Sequence, residues 1–263
     1  NNYVVDFDYG KLFVHQKDLT ISGETREVEY NGETITLSGI SSTGLASGDT
    51  GSGLVYSATG KDVGTYGGAF TGIIEIRNAH GQVVTGSYNI ERIPGTLTIS
   101  PRNISDAIVE LSETLTYNGH NQTMGIVSVK GDGLTVTQYN VAGNTAKDAG
   151  TYTMVISGNL NFTGQKNIVW TIEKKDLIVR TEGGTHTYDG TAFTKGGSII
   201  GFVDSENSCR LETLGTITDV GSVTNGYRLT WVTANSNNYV IGEDLGTLEV
   251  VPKDIKGAIV NLG

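Results

Sequence analysis

Cysteine occurs once in the 263 residues, proline three times, and methionine and tryptophan twice each. A single thiol, Cys209, closes no internal disulfide. It is expected as a buried free thiol, since a reactive one needs a basic neighbourhood and Arg210 alone supplies little of it. No apolar run is long enough to span a membrane, and no stretch keeps apolar residues at i, i+3, i+4 and i+7 for more than about one turn. Positive charge is also scarce: 18 Lys and Arg stand against 28 Asp and Glu, a net charge of −10. That balance argues against nucleic acid or anionic lipid as a partner. The four histidines, His15, His80, His120 and His186, are scattered without Cys or carboxylate at ligand spacing, which argues against zinc. No G-x-S-x-G, H-E-x-x-H or phosphate loop occurs. No catalytic residue, metal site or cofactor is therefore expected.

What is abundant is glycine, 37 residues, about double the usual share of roughly 7%. Val, Ile, Thr and Tyr are plentiful as well. That mixture favours strands and tight turns. The expected class is all-β.

One mark punctuates the chain: basic, Asp or Asn, aliphatic. It appears as Lys17-Asp18-Leu19, Arg102-Asn103-Ile104, Lys175-Asp176-Leu177 and Lys253-Asp254-Ile255, at intervals of 85, 73 and 78 residues. Landmarks recur in order within each interval, as they do in tandem-repeat proteins. First comes a tyrosine turn: Tyr30-Asn31-Gly32, Tyr117-Asn118-Gly119 and Tyr188-Asp189-Gly190. Asn-Gly and Asp-Gly are strong hairpin signals, so a hairpin with the Tyr at its base is expected. Next come Asp62-Val63-Gly64-Thr65-Tyr66, Asp148-Ala149-Gly150-Thr151-Tyr152 and Asp219-Val220-Gly221-Ser222-Val223. D-x-G-x-Y before an alternating strand predicts a tyrosine corner, with the hydroxyl tied back to the preceding loop. Val223 has no hydroxyl to tie. Calcium is the rival role for these aspartates, but the loop lacks the cluster of carboxylates calcium needs.

A closing strand ends each unit, with Leu97 and Ile99, Trp170 and Ile172, or Leu248 and Val250 on one face. Trp170 is thereby expected in the core. Trp231 cannot be assigned a face and is the aromatic best suited to touch a ligand.

These landmarks divide the chain into 1–16, the closing strands of a preceding repeat; 17–100, type A; 101–174, type B; 175–251, type A; and 252–263, the start of another type B. Type A is longer around Gly44–Asp49, Gly201–Glu206 and Asn78–Gly81, the surface loops best placed for contacts. The joints are short and two of them carry Pro, which predicts a stiff rod. At roughly 3.3 Å per strand residue, three units reach on the order of 100 Å.

The ordered set K-D-L, Y-[ND]-G, G-L-x-x-G-D, K-D-[AV]-G-T-Y, N-Y-x-I and G-T-L-T-I resembles the MBG and YDG-type repeats of bacterial cell-surface proteins. Val223 for the corner Tyr and Ile168 for the strand-opening Gly depart from the pattern and touch only local packing. The resemblance implies tandem Ig-like β-sandwiches, with β-grasp units as the architectural alternative. It implies a non-catalytic stalk of an adhesin, secreted or held at the cell surface, monomeric and not inserted in a membrane. Host glycan or protein would be reached through other domains of the full chain, or else by the repeats themselves. Stalk domains of this kind also raise the possibility of Lys–Asn isopeptide bonds from Lys17, Lys61, Lys147 or Lys175, although solvated lysines are the plainer reading.

Overall fold

A computed structural model describes residues 2–203 and 209–257. Ala258–Leu262, read above as part of a further type B repeat, and Asp204–Glu206 of a type A loop lie outside the described residues. Two compact units divide the chain. Unit 1 comprises Asn1–Ala107, Lys130–Asn140 and Ser157–Gln165; unit 2 comprises Ile108–Val129, Val141–Ile156 and Lys166–Gly263. Each unit therefore joins one whole type A repeat to a portion of the type B repeat.

In unit 1, Asn2–Gln16 takes no strand, although closing strands were expected there; a lone strand without a ladder partner leaves its backbone unpaired. The type A repeat then runs β1 (Lys17–Gly23), β2 (Arg26–Glu29), β3 (Ile35–Leu37), β4 (Ile40–Thr43), β5 (Thr50–Gly60), β6 (Gly64–Gly67), β7 (Ala69–Arg77), β8 (Tyr88–Ile93) and β9 (Thr96–Ser100). Two three-stranded sheets, β4-β1-β8 and β2-β9-β6, follow one another in sequence where β1 leads into β2 and β8 into β9, while β3-β5-β7 forms the facing sheet. The first and last strands pair in parallel, Lys17 opposite Tyr88 and Arg26 opposite Leu97. Alternation places one side of each strand inward. Leu37, Tyr56 and Ala58 meet Leu97 and Ile99, and Leu19, Ile21 and Tyr88 meet Ile76. The result is a two-layer sandwich. Tyr56 fills its centre, with its hydroxyl on the Glu24 carbonyl at 2.9 Å. A Cβ on Gly23 or Gly68 would lie 2.3 Å from a carbon of that ring, so both positions need glycine for the close approach.

In unit 2, the second type A repeat has the same pairings. Lys175–Thr181 lies parallel to Tyr239–Asp244 and antiparallel to Gly197–Ile200. Thr247–Val251 takes Gly184–Thr187 in parallel and Gly221–Thr224 antiparallel. The type B portion contributes Leu115–Thr116, parallel to the end of Gln165–Glu173. One apolar cluster joins them: Tyr117, Met124, Met154, Trp170 and Ile172 from type B with Leu177, Val203, Ala234 and Tyr239 from type A. Among the described residues there is no α-helix, only two three-residue 3-10 turns, so the helix that a β-grasp unit requires is missing. The architecture is all-β, built of Ig-like sandwiches.

The Y-[ND]-G turns are not hairpins, contrary to the expectation. β2 and β3, which flank Tyr30-Asn31-Gly32, belong to opposite sheets. In type B, Leu115–Thr116 and Gln122–Thr123 likewise belong to different sheets. Each turn is an Asx turn: Asn31, Asn118 and Asp189 accept the amide two residues on, at 2.9 Å in all three. Their glycines sit at φ 80–83°.

Trp170 is 2% exposed and its Nε1 donates to the Gly143 carbonyl at 3.0 Å. Trp170→Ala is expected to cost about 3–5 kcal/mol in chemical denaturation. Trp170→Leu, the residue that Leu97 and Leu248 supply at this position, should cost clearly less.

Candidate functional site

The recurring sequence landmarks converge at the places where one repeat meets the next, and each unit contains one such joint. In unit 1 the Asp62 corner of the type A repeat faces Asn161 of type B. Asn161 Nδ2 donates to Asp62 Oδ1 at 2.8 Å, and Asn161 Oδ1 accepts the Val63 amide at 2.8 Å. In unit 2 the Asp148 corner of type B faces Asn238 of type A. Asn238 Nδ2 donates to Asp148 Oδ1 at 2.9 Å, and Asn238 Oδ1 accepts the Ala149 amide at 2.8 Å. The two asparagines are 5% and 1% exposed. An amide buried to that degree needs both ends bonded, and here both are.

Beside each clasp sits a ring pair. Tyr30 meets Phe162 edge-on, centroids 5.5 Å apart at 82°. Tyr117 meets Tyr239 in the same way at 5.6 Å and 82°. Phe162 and Tyr239 are the residues directly after the clasping asparagines. They are also the residues paired in parallel with Arg102 and Lys175, the first residues of the punctuation marks. The mark that opens a repeat therefore lies beside the Asn-aromatic step near its end. In unit 1, Arg102 adds a donor to the Tyr30 carbonyl at 3.4 Å and an ion pair to Asp132 at 2.7 Å.

The corners themselves are formed by the tyrosines. Tyr66 Oη donates to the Asp62 carbonyl at 2.7 Å and Tyr152 Oη to the Asp148 carbonyl at 2.8 Å. Gly64, Gly150 and Gly221 all sit near φ 153–159°, a backbone conformation other residues adopt at a cost. Val223 stands where the third tyrosine would be and is 37% exposed.

Asn161 and Asn238 were not singled out from sequence as partners of the corner aspartates. The available signal was the recurrence of Asn followed by Phe or Tyr, which reads as a glycosylation sequon at Asn161 and as a family motif at Asn238.

Trp231 packs partly buried, stacked on Tyr239 at 6.0 Å and edge-on to Phe202 at 6.2 Å. Cys209 is half-buried, and burial pushes its thiol up. Lys17, Lys61 and Lys147 are exposed and Lys175 is half-buried. No group of three or more metal-ligating side chains occurs among the described residues. An open cleft of about 450 Å³ lies in the first type A repeat, lined by Leu19, Leu45, Asp49, Thr50 and Ser52 among others. Tyr88 Oη donates to Asp49 there at 2.5 Å, and this bond pushes the Tyr88 hydroxyl up.

No family model matches the chain, and no curated protein does either. Several solved structures are similar. One is the Escherichia coli adhesin FdeC, 11% identical over 93% of this chain and 100% of that one, with a TM-score of 0.27. Another is the N-terminal four Ig domains of Dscam1, 10% identical over 92% and 74%, TM-score 0.22. A third is the Bacteroides ovatus mixed-linkage glucan utilization locus protein SGBP-B with a heptasaccharide, 12% identical over 88% and 67%, TM-score 0.18. At these scores the likenesses carry no argument of their own.

Tyr66→Phe and Tyr152→Phe should each cost about 0.5–1.5 kcal/mol, the net value of one hydrogen bond, in denaturant titration. The Asp189 carboxyl is held at about 2, below its ordinary 3.8, by the Thr191 hydroxyl, then the Thr191 amide, and more weakly by His186. A carboxyl depressed in the fold contributes stability that is present above its unfolded value and lost as pH falls through the folded one. An NMR titration of Asp189 should therefore show its midpoint near 2. Asp189→Asn should keep the turn, as Asn31 and Asn118 do, while removing this step from the acid limb between pH 3.8 and 2.

Proposed function

We propose that the chain is a non-catalytic spacer segment of a bacterial surface adhesin, its repeats resembling MBG and YDG-type repeats and standing outside the cell. The observation that supports this most is the repeated joint. A type A to type B joint and a type B to type A joint use the same Asp–Asn clasp and the same edge-on ring pair, with distances agreeing within 0.1 Å. A chain built for chemistry needs one site assembled from diverse groups. A chain built for reach needs one joint used many times. In unit 2 the apolar core also runs through the joint, which resists bending there better than a Gly/Ser linker would.

In this reading the segment projects a binding domain that lies elsewhere in the full protein, and host glycan or protein is met by that domain. Small-angle scattering of the chain should give a maximum dimension on the order of 100 Å, from strands of roughly 3.3 Å per residue laid end to end. A compact globular profile would rule the spacer out. Asn161→Ala and Asn238→Ala should broaden the distance distribution while leaving the strand content seen by circular dichroism unchanged.

A second reading, in which the repeats bind glycan or protein themselves, is favoured by the cleft in the first type A repeat. Its wall includes Leu45 and Asp49, which belong to the loop that lengthens type A. A glycan and matrix-protein array would test it, and a signal no higher than that of an unrelated Ig-like control would sink it.

A further inference from the structure

The third repeat presents the same face that the first two use at their joints. In all three the tyrosine amide of the Y-[ND]-G turn donates to the last strand's end at 2.9 Å: Tyr30 to Ser100, Tyr117 to Glu173, Tyr188 to Val251. In all three the next residue closes an Asx turn. The corner glycines match as well. Two things differ: Val223 stands where Tyr66 and Tyr152 tie the first two corners, and the third face is less covered. Tyr117 is 1% exposed beneath its joint, whereas Tyr188 is 40% exposed and Val220, the counterpart of Val63 and Ala149, is 54% exposed.

We infer that Tyr188, Asp219 and Val220 form a docking face whose occupant is another repeat of this type, presenting Asn followed directly by Tyr or Phe. The two internal joints identify that partner. The Asn amide would donate to the Asp219 carboxylate and accept the Val220 amide, and the aromatic ring would meet Tyr188 edge-on. A charged side chain fits less well than Asn, because the face offers one acceptor and one backbone donor a few ångströms apart and only an amide answers both. The Asx bond of Asp189 already sets the turn, while the corner keeps its glycine geometry without the tyrosine tie of the other two, so docking would itself help to order the corner. The face has no dependence on repeat type: the type A corner at Asp62 takes type B, and the type B corner at Asp148 takes type A. The inference extends the joint geometry and does not rest on the spacer role.

Two extended chains test it, one with a further copy of residues 101–174 after Val251 and one with a further copy of residues 175–251. Hydrogen exchange at the Val220 amide is compared with that of the unextended chain. Slowing of about tenfold or more in either chain is the expected result, since one buried hydrogen bond is made. Replacing the clasping residue of the appended copy, Asn161→Ala or Asn238→Ala, should return Val220 to its original rate. An unchanged Val220 rate in both extended chains overturns the docking face. So does slowing that survives the Asn→Ala change, because simple coverage would then explain it. A compact scattering profile would remove the spacer and leave Val220 protection standing, and an unchanged Val220 rate would do the reverse.

Discussion

A buried asparagine side chain that belongs to one repeat yet finds both hydrogen-bond partners in another is the constraint on which this chain's construction turns. Asn238 is 1% exposed. Its Nδ2 and Oδ1 are satisfied by the Asp148 carboxylate and the Ala149 amide of the neighbouring repeat. Separating the repeats within that unit would strip both bonds at once and leave an amide, a carboxylate and a backbone N–H to be resolvated. Exchanged for water, each of the two bonds is worth on the order of 0.5–1.5 kcal/mol net, whereas a joint that stayed closed with one partner removed would leave the Asn238 amide buried and unsatisfied at about 1–3 kcal/mol. The corner loop must therefore hold its shape, and the remaining features serve that end. The tyrosine hydroxyl ties the loop to its own carbonyl, the glycine permits its backbone, and the ring pair covers its flank.

The parallel pairing of first and last strands explains why these parts meet. Lys175 lies opposite Tyr239 and Arg102 opposite Phe162. The residue entering a repeat is thereby held beside the Asn-aromatic step that closes it. A chain leaving the previous repeat arrives where its corner can be grasped. In unit 2 this brings the cores together so closely that Tyr117, Trp170, Leu177 and Tyr239 belong to one cluster. Side-chain bonding and shared core give a firmer joint than the prolines at 101 and 252 suggest. The 173–175 joint contains no proline and is built the same way.

Much of this was legible in the residues. The alternation of Leu97 with Ile99 and of Leu248 with Val250 specified the inward face, and the period-2 pattern placed Trp170 in the core. The Asn-Gly and Asp-Gly steps marked turns but misled on their kind. Turn chemistry reports local backbone, and whether the flanking strands share a sheet is decided by distant partners such as Ser100 and Val251. The clasp was less legible still. Asp62 and Asn161 are 99 residues apart, and Asp148 and Asn238 are 90 apart. No periodicity within a repeat connects them. The counterpart of Asn238 in the first type A repeat is Ser87, which precedes Tyr88 after the same three-residue 3-10 turn. With one member of the set changed, the Asn-aromatic step does not stand out as a repeated mark.

Why asparagine, in a chain of net charge −10 facing an aspartate? Lysine or arginine is the obvious ionic partner for an aspartate. An ammonium at 1–5% exposure would bear a desolvation penalty that one carboxylate offsets poorly. It would also leave the Val63 or Ala149 amide without an acceptor, since neither Lys nor Arg accepts a hydrogen bond. At the rim, a salt bridge would contribute little and weaken with salt. The amide gives a charge-assisted bond to the carboxylate through its donor and satisfies the backbone through its acceptor. The asparagine end of the clasp is buried while the Asp62 and Asp148 residues stay exposed, so the carboxylate keeps part of its hydration as it accepts the bond. A joint made this way distinguishes a repeat presenting Asn from a surface that is merely basic.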